Sequence, residues 1–193
     1  SLWSDKPEGE ELSNWLCSEL IQCGQHGVPA VVLHLSRGLN PPPLNSLGLN
    51  RIKRAVEIAE KYKVNIALEN LRNLDYLDYV MQNISSQRLG FCYDSGHNNC
   101  FNPEIDVLKA YRDRLFALHL NDNYGDEDTH LLPFDGTVDW TKVINNLKAI
   151  NYQSAVSLEV QMDRHPMYAD LSAEEYLSRA FNRAERIEQL ILV

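Results

Sequence analysis

Residues 89–100, LGFCYDSGHNNC, open with an apolar run and then set Asp94 and His97 three residues apart. With Arg88 before it, the run 88–94 reads as a buried strand that ends on an acid. Four other runs likewise read as strands that end at an acid or a histidine: PAVVLHL (29–35), VNIALEN (64–70), RLFALHL (114–120) and AVSLEV (155–160). Helical periodicity lies between them. Residues 8–26 place Leu12, Trp15, Leu16, Cys17 and Leu20 on one side, and residues 49–63 carry Ile52, Val56 and Ala59. Further helices are expected over 73–84, near 103–112, over 140–150 behind an Asp139 cap, and over roughly 172–191. The segments 36–48 and 121–138 read as loops, the second of them acidic. Near-continuously apolar strands alternating with helices predict an α/β fold with a parallel sheet, either open or closed into a barrel.

The strand ends read His34, Glu69, Asp94, His119 and Glu159, and the steps from Glu69 to Asp94 and from Asp94 to His119 are both 25 residues. That is about one βα unit, since a barrel of roughly 250 residues holds eight. Each polar residue is therefore expected at the same height, at the C-terminal strand ends where such folds build their sites. Side chains alternate along a strand. Two residues before each polar one stand Val32, Ala67, Cys92, Ala117 and Ser157, all small. One residue before stand Leu33, Leu68, Tyr93, Leu118 and Leu158, all larger. The small set suits a crowded interior, so the polar residues would point from it towards one shared place. Glu69, Asp94, His119 and Glu159 would repel there without a cation. Their oxygen and nitrogen donors suit one divalent metal ion such as Mn²⁺, Co²⁺, Mg²⁺ or Zn²⁺. His97 is then a near neighbour that reaches substrate or a second metal. Asn70 and Asn121, each following a ligand, would orient it by hydrogen bonds. Asp122 and Asn123 read as turn formers, and Trp140 as core packing.

Of the 193 residues 44% are hydrophobic, enough for one sizeable core and a single domain over 1–193. A net charge of −9 argues against a nucleic-acid partner, which needs basic surface to replace counterions. No run reaches the roughly 18 apolar residues of a membrane span. The acidic start, SLWSDKPEGEEL, has no apolar signal core. The four cysteines form no CxxC pair and suit a reducing, cytoplasmic setting.

At VVLHLS, IALEN, GFCYDSGH, LHLNDNYGDEDTHLLPFDGTVDW and VSLEV the sequence resembles the xylose isomerase-like TIM-barrel superfamily. That superfamily includes sugar isomerases, epimerases and the endonuclease IV group. The resemblance implies a metal-dependent sugar or sugar-phosphate isomerase or epimerase, with the metal on Glu69, Asp94, His119 and Glu159. Glu69 and Glu159 would move the proton next to the substrate carbonyl, through an enediolate, and His97 would contact the sugar. The endonuclease IV group implies the alternative, a zinc phosphodiesterase acting on abasic DNA. In that reading His34, His97, Asp128 and His130 match further metal ligands.

The matched strands correspond to the fourth to eighth of the family's barrel. The expected fold is thus a parallel (β/α) TIM-barrel type lacking its first βα units. Bare sheet edges would then invite cover, for instance from a second copy in a homo-oligomer. An inactive or partner-dependent barrel fragment is the remaining reading.

Overall fold

The computed structural model describes residues 1–192 and divides into two compact units, Ser1–Cys92 and Tyr93–Val193. The first unit begins with α1 (Pro7–Gln25), followed by β1 (Ala30–Leu33), α2 (Ser46–Tyr62), β2 (Asn65–Glu69) and α3 (Asp75–Asn83). The division falls within β3 (Leu89–Asp94). The second unit continues with α4 (Ser95–Phe101), α5 (Val107–Tyr111), β4 (Leu115–His119), α6 (Trp140–Ala149) and α7 (Ala173–Leu192). The strands are ordered β1-β2-β3-β4 in one sheet, with strand and helix alternating as the apolar pattern requires.

In the first unit β1 pairs with β2 and β2 with β3, both in parallel. Leu33 is opposite Leu68, and Glu69 is opposite Cys92. Glu69 is therefore level with His34, whereas β3 runs two residues further before it ends at Asp94. The strand-end acids are staggered rather than at one height, as the shear of a barrel demands. Ala67, Leu68, Phe91 and Cys92 have no exposure, so both faces of β2 and β3 are covered.

Helix α2 buries Leu49, Ile52, Ala55, Val56 and Ala59 along one stripe and packs on α1. It starts three residues earlier than the periodicity suggests because Asn45 caps it, accepting from the Gly48 amide at 2.8 Å. The Asn45 amide also donates to the Trp3 carbonyl at 2.8 Å. Trp3 is buried and its indole N–H donates to the carbonyl of Leu35, the residue after His34, at 2.6 Å. A Cβ added at Gly48 would overlap the indole, so the glycine is what lets Trp3 lie against α2. Asn45→Ala removes the cap and the tie to Trp3, and should cost about 1–2 kcal/mol in urea unfolding. A change below about 0.3 kcal/mol would show that the cap is idle.

In the second unit Leu131, Leu132, Tyr168, Tyr176 and Ala180 form a core cluster, and α6 packs on α7. Tyr168 accepts from the Leu132 amide at 2.8 Å and donates to Asp135 at 3.0 Å. Burial, foremost, pushes the Tyr176 hydroxyl up to about 12.

One further expectation changes. Residues 155–160 do not form a strand; one parallel bridge joins Leu120 to Leu158. The ladder stops because the residues after Leu120 bond elsewhere: the Asn121 amide donates to Ser95 Oγ, and Asp122 pairs with Leu131. The acidic loop 121–138 is pinned by the same pairing. Asp122 and Leu131 exchange both backbone bonds, at 2.9 and 2.8 Å, and fold the segment back on itself.

Candidate metal centre

Each strand end delivers its polar residue by local means. In the first unit His34 Nε2 lies 3.0 Å from Glu69 Oε2, with the glutamate side chain fully buried and the imidazole more than half exposed. In the second unit the end of β3 turns directly into α4. Asp94 is the N-cap of that helix: its Oδ1 accepts from the His97 amide at 2.6 Å. Its other oxygen accepts from the Asn121 side-chain amide at 3.0 Å. Asn121 is held in turn by Ser95, whose hydroxyl donates to the Asn121 carbonyl at 2.6 Å. A Cβ at Gly96 would collide with the Asn121 amide. Both Asp94 oxygens thus accept a fixed donor, the residue has no exposure, and its direction is set before any ligand arrives.

From β4, His119 places Nδ1 2.9 Å from Glu159 Oε2. Asp94, His119 and Glu159 each offer one donor atom, and these atoms lie within 4.8 Å of one another. Two carboxylates and an imidazole at that spacing fit a divalent cation: the oxygens are hard donors, and the imidazole adds a nitrogen that zinc and manganese accept.

A second array adjoins this cluster. His97 Nδ1 is 3.8 Å from Asp94 Oδ1, and its Nε2 is 3.4 Å from Asp128 Oδ2. His130 Nε2 is 3.1 Å from the same Asp128 oxygen, and His130 Nδ1 is 2.8 Å from the Glu159 carbonyl. Burial alone would raise the Asp128 carboxyl, but hydrogen bonds from His130 and His97 outweigh it and hold it well below the usual carboxylate range. For His130 burial opposes the charged ring. The bonds to Asp128 and the Glu159 carbonyl prevail and raise its pKa. Arg164 donates to the Asp128 carbonyl at 3.1 Å.

The structure therefore brings Asp94, His97, His119, Asp128, His130 and Glu159 together within the second unit, and His34 with Glu69 within the first. Two contributors were read too weakly from sequence. Ser95 carries no signal of its own beyond following Asp94. Asp122 is buried rather than a simple turn residue, and it accepts from the amides of Asn123, Phe134 and Val138 and from the Trp140 indole. Trp140 is core packing, as expected, and is also a donor.

Known proteins resemble the chain at three levels. Inosose isomerase of Bacillus velezensis is 26% identical over 83% of this chain and 61% of its own length. A solved structure of IOLI protein with a binding zinc atom superposes with a TM-score of 0.77 at 22% identity, over 95% of this chain and 71% of the other. D-psicose 3-epimerase from Clostridium cellulolyticum H10, solved with D-tagatose, gives a TM-score of 0.82 at 13% identity, over 99% of this chain and 74% of the other. The chain spans about half the length of the curated relatives it matches. The family model for the xylose isomerase-like TIM barrel matches residues 2–186, and the chain belongs to that family.

Proposed function

We propose that the chain carries a divalent-metal centre for isomerising or epimerising a sugar or sugar phosphate, with Glu69, Asp94, His119 and Glu159 as ligands. The observation that carries this reading is the convergence of Asp94, His119 and Glu159 to donor distances within 4.8 Å. The strand register supports including Glu69. It ends β2 opposite Cys92, and Cys92 shares a face of β3 with Asp94, two residues on. The isomerase name of the Bacillus relative and the zinc and sugar in the two solved structures support the same chemistry.

A bound divalent ion would supply Lewis-acid polarisation of a carbonyl and its neighbouring hydroxyl. The protein's part is to place bases and exclude water. Glu69 and Glu159 are assigned the proton transfer next to the carbonyl, one removing the proton and one returning it. Each can do so while it ligates only if its other oxygen stays free of the ion. His97 is assigned to the sugar hydroxyls, its ring steadied by stacking on Phe101 with centroids 5.5 Å apart. His34 beside Glu69, and Asp128 beside His97, are the groups left for substrate or a second ion. Four free cysteines suit a reducing cytoplasm.

Metal analysis of purified protein, together with proton exchange from D₂O into candidate ketoses, tests this. The expected result is about one ion per chain and deuterium entering next to the carbonyl. Three zinc ions with cleavage of abasic-site DNA would replace this reading by the phosphodiesterase one. Protein that takes up no divalent ion would leave only a non-catalytic barrel piece.

A further inference from the structure

The geometry assigns to His130 a positioning role: it holds Glu159 in place by clasping that residue's main chain, and does not itself serve as a ligand. The assignment rests on the reading of Glu159 as a metal ligand and goes beyond it.

Residues 155–160 form no strand, and their backbone is tied to the chain just after β4 by one bridge at Leu120, with the Glu159 amide donating to the Leu120 carbonyl at 3.1 Å. A ligand on so short a ladder needs another anchor, and His130 provides one at two points. Its Nδ1 lies 2.8 Å from the Glu159 carbonyl, and the Gln161 amide donates to the His130 carbonyl at 3.0 Å. A peptide carbonyl only accepts, so Nδ1 carries the hydrogen and donates. The far nitrogen, Nε2, lies 3.1 Å from Asp128, which fixes the ring with Nδ1 towards the carbonyl. The ring is buried, and the residue adopts a left-handed backbone, φ 50°, that L side chains rarely hold. That conformation turns the His130 carbonyl to Gln161 while its side chain reaches Glu159. Both nitrogens are thus committed to acceptors of the protein.

The two amide residues separate this role from ligation. In His130→Asn the side-chain NH₂ falls near the position of Nδ1, and asparagine tolerates the left-handed region. In His130→Gln the NH₂ falls near Nε2, and the donor to Glu159 is lost. Affinity of the full chain for Mn²⁺ and for Zn²⁺, by calorimetry, should stay within about 3-fold of the parent in His130→Asn. It should fall about 10- to 100-fold in His130→Gln and His130→Ala, the range typical of groups that orient a ligand.

Amide exchange of residues 155–161 in metal-free protein reads the clasp without any ion. It should match the parent in His130→Asn and quicken at least about 10-fold in the other two. If His130→Asn loses as much affinity as His130→Gln while its exchange is unchanged, the ring is a ligand and the inference falls. It also falls if His130→Gln matches the parent in both measurements. Glu159→Gln serves as the control. If that variant binds metal like the parent, it is the metal-centre reading that fails, while the exchange result still judges the clasp.

Discussion

Asp122→Ala is expected to destabilise the second unit by about 4 kcal/mol, because it strands buried donors that cost about 1–3 kcal/mol each. Asp122 has no exposure. Its Oδ1 accepts from the Asn123 amide at 2.9 Å and the Val138 amide at 3.0 Å. Its Oδ2 accepts from the Phe134 amide at 3.0 Å and the Trp140 indole at 2.7 Å. Four donors use the roughly four lone-pair positions a carboxylate offers, so nothing is left with which to hold a cation. Asp122 is therefore structural although it stands three residues after a proposed metal ligand. Asp122→Asn should cost about half as much, since one oxygen survives and the amide opposes two donors on the other side. Urea unfolding followed by tryptophan fluorescence reads both, and Trp140 reports directly because its indole loses a partner. If both variants stay within about 0.5 kcal/mol of the parent, the four bonds contribute nothing net. The same loss should loosen the loop that carries Asp128 and His130, since Gly136 lies so close to Asp122 that a Cβ there would overlap it.

What could be read from sequence was whatever repeats with the strand period. Glu69, Asp94 and His119 end apolar runs, and each is found at the last residue of its strand. The small-large alternation before them matches the observed register, in which Ala67 and Glu69 face the same way and lie opposite Gly90 and Cys92. The failures share a different cause. The run at 155–160 has the composition of a strand, but a ladder also needs a neighbour whose amides are free to pair, and those after Leu120 are taken by Ser95 and Leu131. Helix α4 was missed because Gly96, His97, Asn98 and Asn99 are poor helix formers. The Asp94 cap and the Asn98 amide, which donates to the carbonyls of Asn102 and Ile105, hold it instead. Asp94 shows why a residue should not be sorted as either cap or ligand from sequence: one carboxylate caps with an oxygen and still faces the cluster. Asp122 was misread because nothing local separates a turn-forming aspartate from one that gathers donors up to 18 residues away.

That double use of Asp94 leads to the second large effect. Asp94→Asn should leave the metal-free protein nearly as stable as the parent while abolishing its response to metal. Asparagine is as good an N-cap as aspartate, so the bond to the His97 amide survives. The new amide would face the Asn121 amide nitrogen, donor against donor. Asn121 Oδ1 is buried with no hydrogen-bond partner among the described residues, so turning the Asn121 amide over restores a donor–acceptor pair. The net change without metal is thus expected below about 1 kcal/mol. Metal binding should weaken at least about 100-fold, since the loss of a charged ligand exceeds the 10- to 100-fold typical of its supporting groups. In thermal unfolding, metal at 100 times the parent's dissociation constant stabilises the folded chain by about 2.7 kcal/mol, because it binds the folded state alone. For a chain of this size that is a rise of about 5–10 °C. Asp94→Asn should show almost none of this rise at the same metal concentration, while starting from nearly the parental midpoint. A variant that unfolds early without metal would mean that Asp94 is chiefly structural. One that keeps the full metal-induced rise would remove Asp94 from the ligand set, leaving His119 and Glu159 too few in the second unit to hold an ion.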